Sequence, residues 1–175
     1  MSDKVFLFID GIIGNSKESN HIGWIPINSI HFQASRTIEY KVHTKNIEPH
    51  SSSPAISQIT LTKSTGMESP EMFKSFCQLK EHRFIIDVIH TKEEGAGDNF
   101  IAAAVESAVG VGSGITRYEI DAGHIASYEM LGQRGEIYEK TIIKATTLTI
   151  SYNPPLKSNE EKSSFGYDFK MLKAL

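Results

Sequence analysis

FLFIDGIIGNS at residues 6–16 and HIGWIPI at residues 21–27 decide the fold of this chain. The first run is an apolar segment that ends in a glycine-punctuated turn, and the second begins at a His-x-Gly step after a polar loop. Apolar runs bounded by Gly, Asn, Ser and Pro are typical of β-strands. The two runs therefore predict a first strand over 5–10 and a second over 24–35.

The predicted second strand changes its hydrophobic phase partway along. Ile25 and Ile27 share one parity, whereas Ile30 and Phe32 share the other. Because side chains in a strand alternate with a period of two, such a change requires a bulge or a bend. Pro26 cannot donate a ladder hydrogen bond, so it fits an edge strand or a bulge.

One clear helix is predicted further along, and it begins at a Ser-Pro step. Ser69 is a good N-cap and Pro70 suits the first helical position. Four apolar residues recur at helical spacing and are expected to pack on the sheet: Met72, Phe73, Phe76 and Leu79. Three polar residues are expected to face water: Lys74, Ser75 and Gln78.

The order of these features resembles the tube protein of bacterial type VI secretion, the Hcp (haemolysin-coregulated protein) family. The resemblance rests on the x-Ile-Asp-Gly-Ile-x-Gly-x-Ser opening at 8–16, the His-x-Gly step at 21–23 and the Ser-Pro at 69–70. It spans nearly the whole chain. It implies a mainly β fold, a small antiparallel β-barrel or sandwich with one flanking α-helix, formed by residues 1–175 as a single domain.

The remaining pattern agrees with that fold, since seven to nine short strands and one helix indicate an antiparallel barrel or sandwich. Residues 41–54 hold prolines, an asparagine and several serines, so an extended loop is predicted there. Further strands are predicted over 56–63, 84–90, 115–130 and 137–152, with a last strand through Phe165, Tyr167 and Phe169 in the C-terminal segment 157–175.

Residues 93–114 depart from the family, which usually crosses between the flanking strands by a short turn. This insert has glycines at both ends and an apolar middle, which predicts a short helix from Asn99 to Val109. A connection this long without structure would be unusual, so a functional loop is favoured. We expect it to dock on its own barrel or on a neighbouring subunit, and we favour the neighbour because one helix already covers the core.

Composition narrows the function classes. With 18 basic and 21 acidic residues the net charge is −3, and there is no basic run, so nucleic acid is not an expected partner.

No apolar run is long enough to span a bilayer, and no Sec-type signal precedes the first strand. The single Cys77 excludes an intramolecular disulfide and is expected to be buried in the helix. Because the chain ends at Leu175, we expect no fused C-terminal effector domain.

No motif points to catalysis. Seven histidines are spread along the chain without an HxxxH or HExxH pair: His21, His31, His43, His50, His82, His90 and His124. The glycine-rich stretch 110–114 matches neither the nucleophile elbow nor the dinucleotide fingerprint. We therefore predict no catalytic residue, no metal and no cofactor, and the protein is not expected to be an enzyme.

The resemblance implies a structural subunit that assembles into hexameric rings, which stack into a tube and carry effectors in the lumen. It also implies several partners: further copies of the chain, a VgrG-type tip protein, sheath and baseplate proteins, and effectors. The protein would be cytoplasmic when made and then secreted through the type VI apparatus without a signal peptide. The alternative is a monomeric binding or chaperone module that does not form tubes. A hydrolase, the third class, would need a triad or metal site.

The predicted strand 84–90 suggests where subunits meet. It is apolar on both faces except at Asp87, so both faces must be covered, by the helix or by another subunit. The residues expected at the assembly interface are Phe84, Ile86 and Val88 on this strand, Phe100, Ile101 and Val105 in the insert, and Pro49 and His50 in the loop.

Overall fold

The structure is a computed structural model that describes residues 3–43, 46–52, 55–90, 114–133, 135–155 and 161–174. Within these ranges the chain forms twelve strands and one helix, α1 (Ser69–Gln78). The strands are β1 (Lys4–Ile9), β2 (Ile25–Ile27), β3 (Ser29–Ser35), β4 (Ile38–His43), β5 (Asn46–Ser51), β6 (Ala55–Ser64), β7 (Glu81–His90), β8 (Gly114–Gln133), β9 (Glu136–Ala145), β10 (Thr147–Asn153), β11 (Ser163–Asp168) and β12 (Lys173–Ala174).

A ten-stranded antiparallel sheet forms the body of the molecule. Its main path runs β12-β11-β10-β8-β7-β1-β2, and β9, β6 and β3 branch from β8 in that order. The 20-residue β8 is the central strand of the sheet, because β7 pairs with it on one side while β10 and β9 pair with it on the other. The predicted mainly β, antiparallel fold with one flanking helix is confirmed.

The predicted bend of the second strand is a change of partner at Asn28. β2 pairs with β1, and β3 pairs with β6. Pro26 lies opposite Phe6 on β2, which pairs on one side only among the described strands, as expected for proline. Because β2 and β3 are consecutive yet belong to different ends of the sheet, the sheet curls toward a barrel without closing.

Aliphatic side chains and one phenylalanine fill the inside of the curled sheet. Leu7 and Ile9 from β1 and Phe84 and Ile86 from β7 are at most 1% exposed. The same cluster contains Ile12, Ile25, Ile27, Ile59, Leu61, Met72, Ile120, Ile125, Ile143 and Leu148. Fully burying such a side chain contributes about 1.5–3 kcal/mol, so this cluster is the main source of stability.

The helix has nearly the predicted position in the chain, but a different face is buried. Met72 and Ser75 are buried, whereas Phe73 and Cys77 are exposed. Leu79, the C-cap residue, is 67% exposed. The predictions for Ser75, Phe73, Leu79 and Cys77 were therefore wrong. The physical reason is a polar partner in the core: the Ser75 hydroxyl lies 2.7 Å from Nε2 of the buried His82. Phe73 instead packs beside other rings at the surface.

The helix also begins differently from the prediction. Its N-cap is Glu68, so Ser69 is the first helical residue and Pro70 the second. The Ser69 hydroxyl accepts hydrogen bonds from the Gly66 backbone N–H at 3.0 Å and from Lys63 Nζ at 3.1 Å. Because those donors occupy the hydroxyl, Ser69 does not cap the helix with its side chain.

Met72→Ala should lower the free energy of unfolding by about 2–5 kcal/mol, because it leaves a cavity under the helix. Cys77→Ala on the exposed face of the same helix should change it by less than about 0.5 kcal/mol. Urea unfolding of both variants measures the difference. Similar losses at the two positions would contradict the orientation of α1.

The predicted loop over 41–54 is wrong, because β4 (Ile38–His43) and β5 (Asn46–Ser51) pair as a two-stranded hairpin that overlaps most of it. Pro49 lies opposite Tyr40, and it is tolerated because both strands of a two-stranded sheet are edges. At the base of the hairpin the Ser52 backbone N–H donates to the Thr37 carbonyl at 2.9 Å. The hairpin therefore extends the β3–β6 pair.

The C-terminal half follows the prediction with one correction. The predicted strand 137–152 is two strands, β9 and β10, because a bend at Thr146 interrupts the ladder. The Thr146 hydroxyl donates to the Ala122 carbonyl at 3.0 Å, and both strands run antiparallel to β8. The last predicted strand is confirmed as β11. The predicted helix between Asn99 and Val109 and most of the insert 93–114 lie outside the described residues.

Candidate functional site

The segment between β1 and β2 folds into a compact loop over residues 10–24. The Gly14 backbone N–H donates to the Gly23 carbonyl at 2.8 Å, and that of Ser16 donates to the Trp24 carbonyl at 3.0 Å. A Cβ atom on Gly14 would lie 2.3 Å from the Trp24 carbonyl oxygen, and Gly23 has a φ of +76°. Both positions therefore require glycine, which explains two features of the opening sequence.

A buried ionic contact pins this loop to the sheet face that lies opposite the core. His21 Nε2 lies 2.8 Å from Asp87 Oδ2, and the Arg117 guanidinium holds both oxygens of Asp87, at 2.7 and 2.8 Å. The Asp87 and His21 side chains are 0% and 4% exposed. The Phe6 ring stacks on the imidazole at 4.7 Å. His21 therefore fixes the entry to the second strand.

The Asp87 carboxylate stays ionised in this buried position. Burial alone would raise its pKa, but the hydrogen bonds from Arg117 and His21 outweigh burial and hold the pKa below its ordinary value of 3.8. The bond to the same carboxylate raises the pKa of Arg117. The loop anchor is therefore charged and intact at neutral pH.

The anchored loop presents two isoleucines to solvent. Ile13 and Ile22 are 71% and 72% exposed. Sequence reasoning missed them as candidate contact residues, because an apolar residue in a loop carries no local sign of its exposure. Other large apolar residues are exposed at the β8–β9 end and on α1: Met130, Leu131, Ile137 and Phe73. These side chains are candidate contacts for another protein chain.

A second buried ionic cluster joins the helix start to the sheet. Lys63 Nζ on β6 lies 2.7 Å from Glu68 Oε1 before the helix and 2.7 Å from Glu139 Oε2 on β9. All three side chains are at most 2% exposed. The Nζ also donates to the Ser64 carbonyl at 2.9 Å. Among the described residues, Glu68 Oε2 and both Glu139 oxygens have no well-aligned hydrogen bond.

Neighbouring groups set the charge states around Glu139. Burial alone would raise its pKa, but contacts with Lys63, Ser69 and Tyr128 outweigh burial and lower the pKa. Burial and the Glu139 carboxylate both raise the pKa of the Tyr128 phenol. Tyr128 therefore stays neutral beside an ionised Glu139, and the cluster holds β6, β9 and α1 together through charge.

The residues expected at the assembly interface lie in different parts of the structure, and some lie outside the described residues. Phe84 and Ile86 are 0% exposed in the chain's own core, so their side chains do not reach another subunit. Val88 is partly buried on the same face. Pro49 and His50 lie on strand β5 of the two-stranded sheet. Phe100, Ile101 and Val105 lie outside the described residues. The contact role of Val88 and of these last five residues remains a prediction.

The described residues contain no cluster of three His, Cys, Asp or Glu side chains that could hold a metal ion. His21 and His82 are instead buried and occupied by bonds to Asp87 and Ser75. In the part of the chain that the structure describes, no helix is long and apolar enough to span a membrane.

The chain is similar to a known protein family and to solved structures. The family described as "Type VI secretion system effector, Hcp" matches residues 6–153. No curated protein sequence matches the chain at a significant level. The crystal structure of Hcp1 from Salmonella typhimurium is 19% identical, with a TM-score of 0.64 and full coverage of both chains.

Two further solved structures share the fold. A type six secretion system protein is 15% identical with a TM-score of 0.74, over 99% of this chain and 100% of the other. A type VI secretion system effector from Yersinia pestis is 15% identical with a TM-score of 0.63, over 94% of this chain and 98% of the other. At these identities the likeness to solved structures establishes the fold alone.

Proposed function

We propose, since this chain belongs to the Hcp family of type VI secretion proteins, that it is a structural subunit of the secretion tube. In this proposal six copies form a ring, rings stack into a tube, and the lumen carries effector proteins. A VgrG-type tip protein and the sheath and baseplate proteins are the further partners. The observation that carries the proposal is the family match over residues 6–153.

Two features of the structure support an assembling subunit. The rigid loop over residues 10–24 exposes two isoleucines, and preorganised apolar side chains suit contacts between proteins. The β4–β5 hairpin extends from the β3–β6 pair as a separate two-stranded sheet. A ring requires two different surfaces of one chain to meet head to tail, and these two features supply separate candidate surfaces.

The oligomeric state tests the proposed function. We expect the purified protein to have the mass of a hexamer by light scattering, with rings visible by negative-stain electron microscopy. Dilution should release smaller species, because subunit association depends on concentration. A monomeric mass at every concentration, without rings, would contradict the tube proposal and favour the monomeric binding or chaperone module.

The β4–β5 hairpin should contribute to assembly and not to folding of the subunit. Replacing residues 38–51 with a short Gly-Ser turn joins Thr37 to Ser52, whose backbones already meet at 2.9 Å. The shortened chain should keep its unfolding midpoint at low concentration, since loop length has a small effect on stability. Ring stacking should weaken, as seen in micrographs. A large drop in the midpoint would show that the hairpin belongs to the core.

A further inference from the structure

The loop over residues 10–24 carries two isoleucines side by side. Ile13 and Ile22 are 71% and 72% exposed. The Gly14 backbone N–H donates to the Gly23 carbonyl at 2.8 Å, and a Cβ atom on Gly23 would lie 3.7 Å from Ile13 Cγ2. These contacts place residues 13 and 22 next to each other on a loop that the buried ionic anchor holds to the sheet. We call Ile13 and Ile22 the isoleucine knob.

A lysine without an ion pair lies beside the knob. Lys17 is exposed and directly follows Ser16, whose carbonyl accepts a hydrogen bond from the Gly23 backbone N–H at 3.0 Å. The neighbouring Glu18 is paired with Lys4, whereas Lys17 forms no ion pair with a described residue. The loop therefore presents two apolar side chains and one free positive charge.

An apolar surface lies at the far end of β8, on the face that carries α1. The Phe73 ring on α1 lies 5.6 Å from the ring of Tyr128, and Met130 follows Tyr128 on the same face of β8. Met130 and Ile137 are 59% and 54% exposed, and Gly132 lies directly opposite Ile137. A Cβ atom on Gly132 would meet nothing within 4 Å, so a gap separates the two apolar side chains. We call Met130, Gly132 and Ile137 the β8–β9 notch.

A polar cavity of about 530 Å³ adjoins the notch. Its wall includes the Glu136 carboxylate, which accepts a hydrogen bond from the Tyr138 hydroxyl and forms no ion pair with a described residue. Lys140 on the same strand is already paired with Glu129, at 3.6 Å. The lining residues are Asn28, Ser64, Thr65, Glu136, Ile137 and Tyr138. This end of the sheet therefore offers an apolar surface beside a cavity with a free negative charge.

We propose that the isoleucine knob of one copy docks on the β8–β9 notch of a second copy, with Lys17 entering the cavity beside Glu136. The inference rests on the proposed function, because it names the surfaces that join neighbouring subunits. The two surfaces match in apolar character and are opposite in charge. The loop lies on the sheet face opposite the core, whereas the notch lies on the α1 face. The contact therefore joins two different surfaces, and such a contact generates a ring or a stack.

Cross-linking of two singly substituted proteins tests the contact. Ile22→Cys and Ile137→Cys, each combined with Cys77→Ser to remove the exposed native thiol, are mixed, concentrated and treated with a short bismaleimide. The mixture should give dimers that contain one copy of each variant, identified by peptide mass spectrometry. Either variant alone should give few dimers, because this contact does not bring the same residue of two copies together. Ile22→Cys mixed with Phe165→Cys, at an exposed position on β11, is the control and should also give few.

Charge reversal gives a second measurement. Lys17→Glu should raise the protein concentration needed for half-maximal assembly about tenfold, because it brings two carboxylates together. Glu136→Lys should have a similar effect, because it brings two ammonium groups together. The double variant restores opposite charges across the contact, so it should assemble nearly as well as the wild type. Lys144→Glu changes an exposed lysine elsewhere on β9 and should have little effect.

The outcomes distinguish this contact from the tube proposal. Hexamers that form without a cross-link between positions 22 and 137 would overturn the contact alone and assign the knob to a different partner. Unchanged assembly in Lys17→Glu, or a double variant that assembles no better than the single variants, would also overturn it. A wild-type protein that stays monomeric at every concentration would overturn both proposals.

Discussion

Lys63→Ala should lower the free energy of unfolding by about 3–5 kcal/mol, because it leaves two buried carboxylates without their cation. Lys63 contacts Glu68 and Glu139 at 2.7 Å, and all three side chains are at most 2% exposed. In water the two carboxylates would be solvated, but in this position the Lys63 ammonium, together with Ser69 and Tyr128 at Glu139, offsets their burial. Urea unfolding at neutral pH measures the loss.

Two comparisons separate charge from packing at Lys63. Lys74→Ala removes an exposed helix lysine whose pair with Glu71 spans 3.3 Å, and it should cost less than about 0.5 kcal/mol. A triple variant, Lys63→Met with Glu68→Gln and Glu139→Gln, leaves no buried charge in this cluster and should be more stable than Lys63→Ala alone. If the triple variant is equally unstable, lost packing and not unpaired charge explains the effect.

Local sequence pattern was enough to locate most elements. The apolar run before Asp10 predicted β1, the Ser-Pro step predicted the start of α1 to within one residue, and the phase change after Ile27 predicted the break between β2 and β3. Each of these signals acts within a few residues. Predictions from sequence pattern were wrong where residues that are distant in the sequence determine which side chains are buried. Ser75 is buried because His82, from another element, supplies its hydrogen bond, and helical periodicity carries no information about that partner.

The same limit applies to the candidate site. The two apolar faces of β7 predicted that each face is covered, by the helix or by another subunit, and the structure shows that Phe84 and Ile86 face the chain's own core. The other face is covered by the loop over residues 10–24, whose His21 contacts Asp87. The one charged residue in the apolar run was the available signal, since a buried carboxylate requires partners. Its partners, His21 and Arg117, could not be identified before the strands were in register.

Asp87→Asn should lower the free energy of unfolding by about 3–5 kcal/mol at neutral pH, because Arg117 and His21 lose a shared, fully buried carboxylate. The loop over residues 10–24 should open first, since this contact pins it to the sheet. Hydrogen exchange at the Gly14 and Ser16 amides, whose bonds close the loop, would report that opening. Asp121→Asn is the control, because Asp121 is 68% exposed and 3.7 Å from Arg83, and it should have little effect.

The Asp87 contribution should also depend on pH in a defined direction. A carboxyl whose pKa is lower in the folded chain than in the unfolded chain stabilises the fold above its unfolded pKa. That contribution is lost as the pH falls from the ordinary value of 3.8 toward the lower folded value. The wild-type protein should therefore lose more stability than Asp87→Asn on acidification below about pH 4, and the two should converge. If the free energy of unfolding fell in parallel for the two proteins below about pH 4, Asp87 would not be the ionised partner of Arg117 and His21.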